Sequence, residues 1–142
     1  MKIIGSCYIV NEPAIDEKQQ YSDIVIGRKY FGSSMKSIHK SEHLVNHLRS
    51  RGVILIVAES FGRSFYRNCI NFGLPAIECT GIYLQVNNGD ILEVDLEIGI
   101  IKNISSGKNI IGKAVPKLIL DILAEGGIVQ YTTMKCGIGK EK

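Results

Sequence analysis

Val53-Ile54-Leu55-Ile56-Val57-Ala58-Glu59-Ser60-Phe61-Gly62-Arg63-Ser64-Phe65-Tyr66-Arg67-Asn68-Cys69-Ile70-Asn71-Phe72-Gly73-Leu74-Pro75 changes its period halfway along, and that change decides the fold. The opening aliphatic run is too short to cross a bilayer and reads as a strand buried on both faces of a parallel sheet. Past Ser60 the spacing turns helical: Phe65, Cys69 and Phe72 fall on one face, Ser60 or Ser64 can act as N-cap, and Gly73 with Pro75 marks the stop. A core strand feeds a helix, which is the unit of an α/β fold. Arg63 and Arg67 lie one turn apart on that helix and call for an anionic or carbonyl partner.

Working outward, Ile3–Val10 reads as a first strand, followed by a polar loop through Gln20. Ser22-Asp23-Ile24-Val25-Ile26-Gly27 is a turn entering a second short strand. The next segment, Arg28-Lys29-Tyr30-Phe31-Gly32-Ser33-Ser34-Met35-Lys36-Ser37, carries the chemistry: a glycine and two serines past a strand end can offer N–H groups and hydroxyls to an anion, with Lys29 and Lys36 adding charge. Taken alone, Gly-Ser-Ser reads first as an ordinary serine-rich turn. Ser41–Ser50 follows as a helix with Leu44, Val45 and Leu48 inward.

On the C-terminal side, Ile82, Leu84 and Val86 alternate with polar residues and predict a strand. Asn87-Asn88-Gly89-Asp90 would turn it into a hairpin with Ile91–Val94. Ile100–Ile104 and Asn109–Gly112 predict a second hairpin around Ser105-Ser106-Gly107-Lys108. Pro116 suits the first position of a helix over Lys117–Glu125, closed by Gly126-Gly127, and Ile128–Tyr131 reads as a last strand. Thr132–Lys142 has little to bury and is expected to fray.

The 142 residues suffice for one core, so Met1–Lys142 is expected to form a single domain. No apolar run approaches the roughly 20 residues of a membrane span, and the N-terminus lacks the pattern of an export signal. A net charge of +3, from 17 basic and 14 acidic residues scattered along the chain, gives no nucleic-acid footprint. The four cysteines, Cys7, Cys69, Cys79 and Cys136, show no C-x-x-C pair, which argues against zinc or a cluster held by this chain and for a reducing cytoplasm. Cys69 and Cys79 read as small buried hydrophobes. His39, His43 and His47 recur every four residues but lack a carboxylate in ligand register, so no metal site is assigned. Asp95 and Glu97 sit at a strand end beside a turn, where acids are usually only solvated.

Ala58–Pro75 closely resembles, without a gap, the corresponding segment of 3-isopropylmalate dehydratase small subunits and of the swivel domain in the aconitase superfamily. Ser22–Gly32, Gly89–Asp95, Gly99–Asn103 and the helix ending at Gly126-Gly127 resemble further segments of the same family. The resemblance implies a swivelling β/β/α domain. It also implies a partner, a large catalytic subunit carrying a [4Fe–4S] cluster and most catalytic groups, whose site this chain caps during a hydro-lyase reaction of leucine biosynthesis. The family's loop reads approximately Asn-Phe-Gly-Cys-Gly-Ser-Ser-Arg-Glu-His, its second serine acting as base and its arginine gripping a substrate carboxylate. On this sequence Ser34 would be catalytic, and Gly32, Ser33 and Lys36 would bind substrate. Arg63 and Arg67 would brace the loop or the subunit interface, or serve as a structural ion pair.

The chain departs from the family in the same loop: Met35 stands in the arginine's place, the Cys-Gly is missing, and Glu42-His43 returns only after an insertion. A lysine at 36 cannot reproduce a guanidinium fork. The short polar link before Ser22 also lacks the family's Asp-Thr-Asp segment and its loop that reads the substrate's side group. The expectation is therefore a dehydratase small subunit for a hydroxy acid bearing several carboxylates. The alternatives are a subunit for a different hydroxy acid, a non-catalytic binding or regulatory paralogue, and, less well supported, a free-standing anion binder.

Overall fold

The computed structural model describes residues 2–10, 21–32, 38–128 and 132–133. Its elements run β1 (Lys2–Ile9), β2 (Ile24–Gly27), α1 (Ile38–Ser50), β3 (Leu55–Ala58), α2 (Arg63–Asn71), β4 (Ala76–Glu78), a 3₁₀ turn (Ile82–Leu84), β5 (Ile91–Asp95), β6 (Ile100–Asn103), β7 (Lys108–Ile111) and α3 (Lys117–Ala124). The strands form one seven-stranded sheet in the order β4-β3-β2-β1-β5-β6-β7. From β1 to β4 the pairs are parallel, and from β1 through β5 to β7 antiparallel. This is the mixed α/β architecture expected.

The sheet curls until its two outermost strands meet. Just past β7, the Lys113 N–H donates to the Glu78 carbonyl at 2.8 Å, and the Cys79 thiol points at the Ile111 carbonyl, 3.6 Å away. Inside the curl, Ile24, Ile26, Leu55, Val57, Leu92 and Val94 pack into one core. On the opposite face of the parallel half, Val25, Ile56 and Ala58 meet α1 through Leu44, Val45 and Leu48, and α2 through Phe65 and Cys69. Each such aliphatic or aromatic side chain contributes about 1.5–3 kcal/mol by leaving water. The central run of β3 is buried on both faces, as its unbroken apolar sequence requires.

Several local expectations need correction. Ile82–Val86 is not a strand: Gly81, at φ 71°, breaks the extended path, and Ile82–Leu84 winds into a 3₁₀ turn. Ile82 and Val86, four apart, are both buried while Leu84 is 77% exposed, so apparent alternation is also the spacing of a helical turn. The Asn87–Asp90 turn does form, closed by an Asp90 N–H bond to the Asn87 carbonyl at 3.0 Å, but it delivers β5 to β1 and β6. Neither serine caps α2. Gly62 is the N-cap residue, without a side-chain bond, because the Ser60 hydroxyl is taken by another N–H and Ser64 lies within the first turn.

Helix α1 begins at Ile38, three residues before the predicted Ser41, and β3 begins at Leu55 because the Val53 N–H is used by the Leu48 carbonyl closing α1. Pro116 is the cap of α3 and not its first helical residue, since its ψ of 148° is extended. Ile128, the one described residue of the predicted last strand, is helical. Gly126 and Gly127, both at positive φ, fold the chain back with N–H bonds to Leu123 and Ile122, and the outer strands are already tied to each other. Residues 129–131 and 134–142 of the predicted strand and tail lie outside the described residues. No helix among the described residues is long and apolar enough to cross a membrane.

Candidate functional site

Ligands of open α/β sheets bind beyond the carboxyl ends of the parallel strands. Here that border is formed by Gly27 of β2, Ala58 of β3 and Glu78 of β4, joined in register through Gly27↔Ala58 and Ala58↔Glu78. The serine loop leaves from this border. Its root is fixed by three hydrogen bonds: Tyr30 N–H to the Ser60 hydroxyl (2.7 Å), Phe31 N–H to the Ser60 carbonyl (3.0 Å), and Gly62 N–H to the Phe31 carbonyl (2.8 Å). Phe31 is buried against Phe61 and Phe65, with ring centroids 6.4 and 5.6 Å away.

Gly32 closes the root and tolerates no side chain. Its φ is +83°, and a Cβ there would stand 2.4 Å from Cγ of Phe65. Beside it Tyr30, an exposed residue at φ 54°, holds a left-handed conformation that costs a side-chain-bearing residue roughly 1–2 kcal/mol. Two left-handed residues thus flank a buried phenylalanine at the carboxyl border. Ser33, Ser34 and Lys36, the predicted base and binding residues, lie outside the described residues. The chain resumes at Ile38, the start of α1.

Arg63 is the first residue of α2 and Arg67 follows one turn later, both exposed. Neither guanidinium forms an ion pair or hydrogen bond with a described residue, so the structural ion-pair reading finds no partner among them. A cation in the first turn also opposes the helix dipole, typically by about 0.3–1 kcal/mol, and α2 has no acid in that turn to offset it. This placement keeps a guanidinium available beside the loop root at a local cost.

Sequence reasoning missed three supports of this border. Ser60 straps the loop root, Glu59 Oε2 accepts the Gly81 N–H at 3.1 Å and so ties the end of β3 to the segment after β4, and Arg28 lies 4.5 Å over the Tyr83 ring. None has a short-range signature, since each joins residues brought together only by parallel strand order.

The described cysteines do not suit an iron–sulfur cluster. Cys7, Cys69 and Cys79 are buried at separate positions, and no group of three His, Cys, Asp or Glu residues gathers among the described residues. Burial pushes the Cys7 thiol up to about 11, with the Asp90 charge adding to it, and burial likewise raises Cys69. Cys79 is raised by burial and then by Glu59. These are neutral core thiols, whereas cluster ligation requires thiolates. Asp95, read as a solvated acid, accepts the Glu97 N–H at 3.1 Å in the turn after β5.

No family model matches the sequence. The chain is 43% identical over 124 residues to the isopropylmalate/citramalate isomerase small subunit of Methanocaldococcus jannaschii, covering 87% of this chain and 71% of that protein. It is 44% identical over 115 residues to 3-isopropylmalate dehydratase small subunit 1 of Thermotoga maritima, covering 81% and 66% respectively. A crystal structure of 3-isopropylmalate dehydratase from Methanocaldococcus jannaschii superposes with a TM-score of 0.82 at 27% identity, over 99% of both chains. Strand order, the helix-backed parallel half and the clamped loop root therefore sit on a shared scaffold, and the chain belongs to the family of 3-isopropylmalate dehydratase small subunits.

Proposed function

We propose that this chain is the capping subunit of a two-chain hydro-lyase that isomerises a substituted malate of the isopropylmalate type in leucine biosynthesis. The large subunit would carry the [4Fe–4S] cluster, which supplies Lewis-acid assistance to departure of the hydroxyl. This chain's share is to hold a carboxylate and move a proton. Ser34 takes the proton next to a substrate carboxylate. A serine hydroxyl is a weak base unless its anion is stabilised, and the backbone N–H groups after Gly32, with Lys36, are the groups available to do so. Ser33 and Lys36 hold a carboxylate, and Arg63 braces the loop or meets the partner, with Arg67 one turn behind.

The observation that carries this reading is the root at Gly32, a glycine without room for a Cβ at the carboxyl border, whose neighbour Phe31 is bonded to Gly62, the residue before Arg63. The names of the relatives add the substrate class: one is called an isopropylmalate/citramalate isomerase subunit, so malates with different side groups are handled on this scaffold. The whole of Met1–Lys142 is proposed to act as one domain, in the cytoplasm, with neither nucleic acid nor membrane as partner.

The test is an anaerobic pull-down of the tagged chain from its native lysate, followed by iron and sulfide determination and assay of malate dehydration. A stoichiometric iron–sulfur partner is expected, with turnover that Ser34→Ala lowers by a factor of about 10²–10⁴ while leaving assembly intact. One specific feature favours a second reading: Met35 stands where the family has its carboxylate-gripping arginine. A complex that assembles with its cluster, binds the hydroxy acid and shows no turnover in the wild type would make this chain a binding or regulatory subunit instead.

A further inference from the structure

Away from the loop root, α2, β4 and the connection from β7 to α3 enclose a cavity of about 290 Å³. It is lined by the aliphatic residues Ala76, Ile77, Val115 and Ile119. Three polar residues also line it: Tyr66 from α2, Glu78 from the end of β4, and Lys113 from just past β7. None of the three side chains forms a hydrogen bond or ion pair with a described residue. Glu78 and Lys113 also line a second cavity of about 280 Å³, together with Glu59 and Thr80. One acid and one base are therefore shared by the two cavities.

The backbone holds these two residues side by side. The Lys113 N–H donates to the Glu78 carbonyl at 2.8 Å, so the side chains issue from paired residues at the meeting point of the two outer strands. Tyr66 is anchored by its ring, which lies 5.5 Å from that of Phe61. Burial, and then the Glu78 charge, raise the Tyr66 hydroxyl above its ordinary range, so it stays protonated and able to donate at neutral pH. An aliphatic lining together with a carboxylate, an ammonium and a phenol that pair with no described residue matches a small zwitterion with an aliphatic tail. Its ammonium would meet Glu78 with Glu59 behind it, and its carboxylate would meet Lys113 and the Tyr66 hydroxyl.

We propose that the cavity between α2, β4 and the β7-to-α3 connection is a binding site for an aliphatic α-amino acid, held by Glu78, Lys113 and Tyr66 with its side chain on Ala76, Ile77 and Val115. No residue of the loop root lines the site, and the proposal does not depend on the loop being catalytic. The apolar tail supplies area, and the two charges supply the selection. A ligand lacking either charge leaves a carboxylate or an ammonium unpaired.

The test is a titration of the isotopically labelled full chain with L-leucine as probe, followed by two-dimensional NMR. Saturating shifts are expected at Ile77, Val115 and Ile119, with a Kd below about 10 mM. The two half-ligands 4-methylpentanoate and 3-methylbutylamine are expected to bind at least about tenfold more weakly. Glu78→Gln and Lys113→Met should each weaken leucine by a similar factor, and Lys113 is exposed, so its replacement leaves the fold intact. The proposal is overturned by an absence of saturating shifts up to about 50 mM. It is equally overturned by shifts mapping elsewhere, by a half-ligand matching leucine, or by a folded Lys113→Met chain that binds leucine unchanged.

Discussion

Strands β1 to β4 and strands β5 to β7 share one sheet yet are built on opposite plans. The parallel half is covered on its outer face by α1 and α2, and its strand ends are reinforced by side chains: the phenylalanine cluster, Ser60 and Glu59. The antiparallel half buries only its inner face. Its outward positions, such as Ile91, Lys102 and Ile111, are exposed, and its turns are held mainly by local bonds among Asn87, Asp90, Asn103 and Ser106. Crossover connections force the parallel strands to release long segments at one border, and those segments carry the serine loop and the arginines. The antiparallel half completes the inner core and closes the curl. Chemistry is thus concentrated where backbone is fixed from two sides, and tolerance where it is fixed from one.

This contrast can be broken by substitution. Phe65→Ala removes the ring that packs on Phe31 and underlies Gly32, and should cost about 3–5 kcal/mol in denaturant unfolding. A loss below 1 kcal/mol would mean that the root is not held by this cluster. Gly32→Ala and Gly107→Ala form a matched pair, both at positive φ. A Cβ meets Phe65 at the first and nothing within 4 Å at the second. The open turn should lose about 1 kcal/mol and the root at least twice that, so equal losses would erase the difference between the halves.

A smaller effect should follow pH on β1, the strand the halves share. The Cys7 thiol is raised from 9.0 to about 11 in the fold, so between those values the unfolded chain loses a proton that the native chain keeps. Stability should be fully present below pH 9 and fall as pH rises toward 11, with a shallower slope in Cys7→Val. Matching slopes in guanidinium melts of the two proteins would contradict this. The least effect is expected at Lys2, whose ammonium is 4.0 Å from Glu93 across the β1–β5 junction and largely exposed. Lys2→Ala should change stability by about 0.5 kcal/mol or less, because the junction is held by the ladder and not by charge. A loss above about 1 kcal/mol would show that the two halves are joined electrostatically.

The parallel half was legible because burial on both faces leaves unbroken aliphatic runs, as at Leu55–Ala58, and because Phe65 and Cys69 keep helical spacing. The β6–β7 hairpin was legible from its alternation and from Gly107. Ile82–Val86 misled because two buried residues four apart around an exposed leucine satisfy both periods, and only the left-handed Gly81 decides between them. Of the candidate site, Gly32 was readable as the glycine before two serines past a strand end, while the reason that only glycine fits, the Phe65 ring against it, comes from a residue 33 positions away. Ser60 looked like a helix cap because serine before a helix usually is one. Its hydroxyl instead meets the Tyr30 N–H, a partner that only the fold places within reach.

The closure between Glu78 and Lys113 has a consequence for the chain before it meets any partner. A sheet of seven strands normally ends in two rows of unpaired backbone groups, each able to recruit a strand from another molecule. Here one outer strand is only three residues long and is bonded at its end to Lys113, two residues past the other, whose exposed face begins with Lys108. Little template is left for intermolecular pairing, so the isolated subunit should resist fibre-like association at concentrations where an open sheet of this size would not.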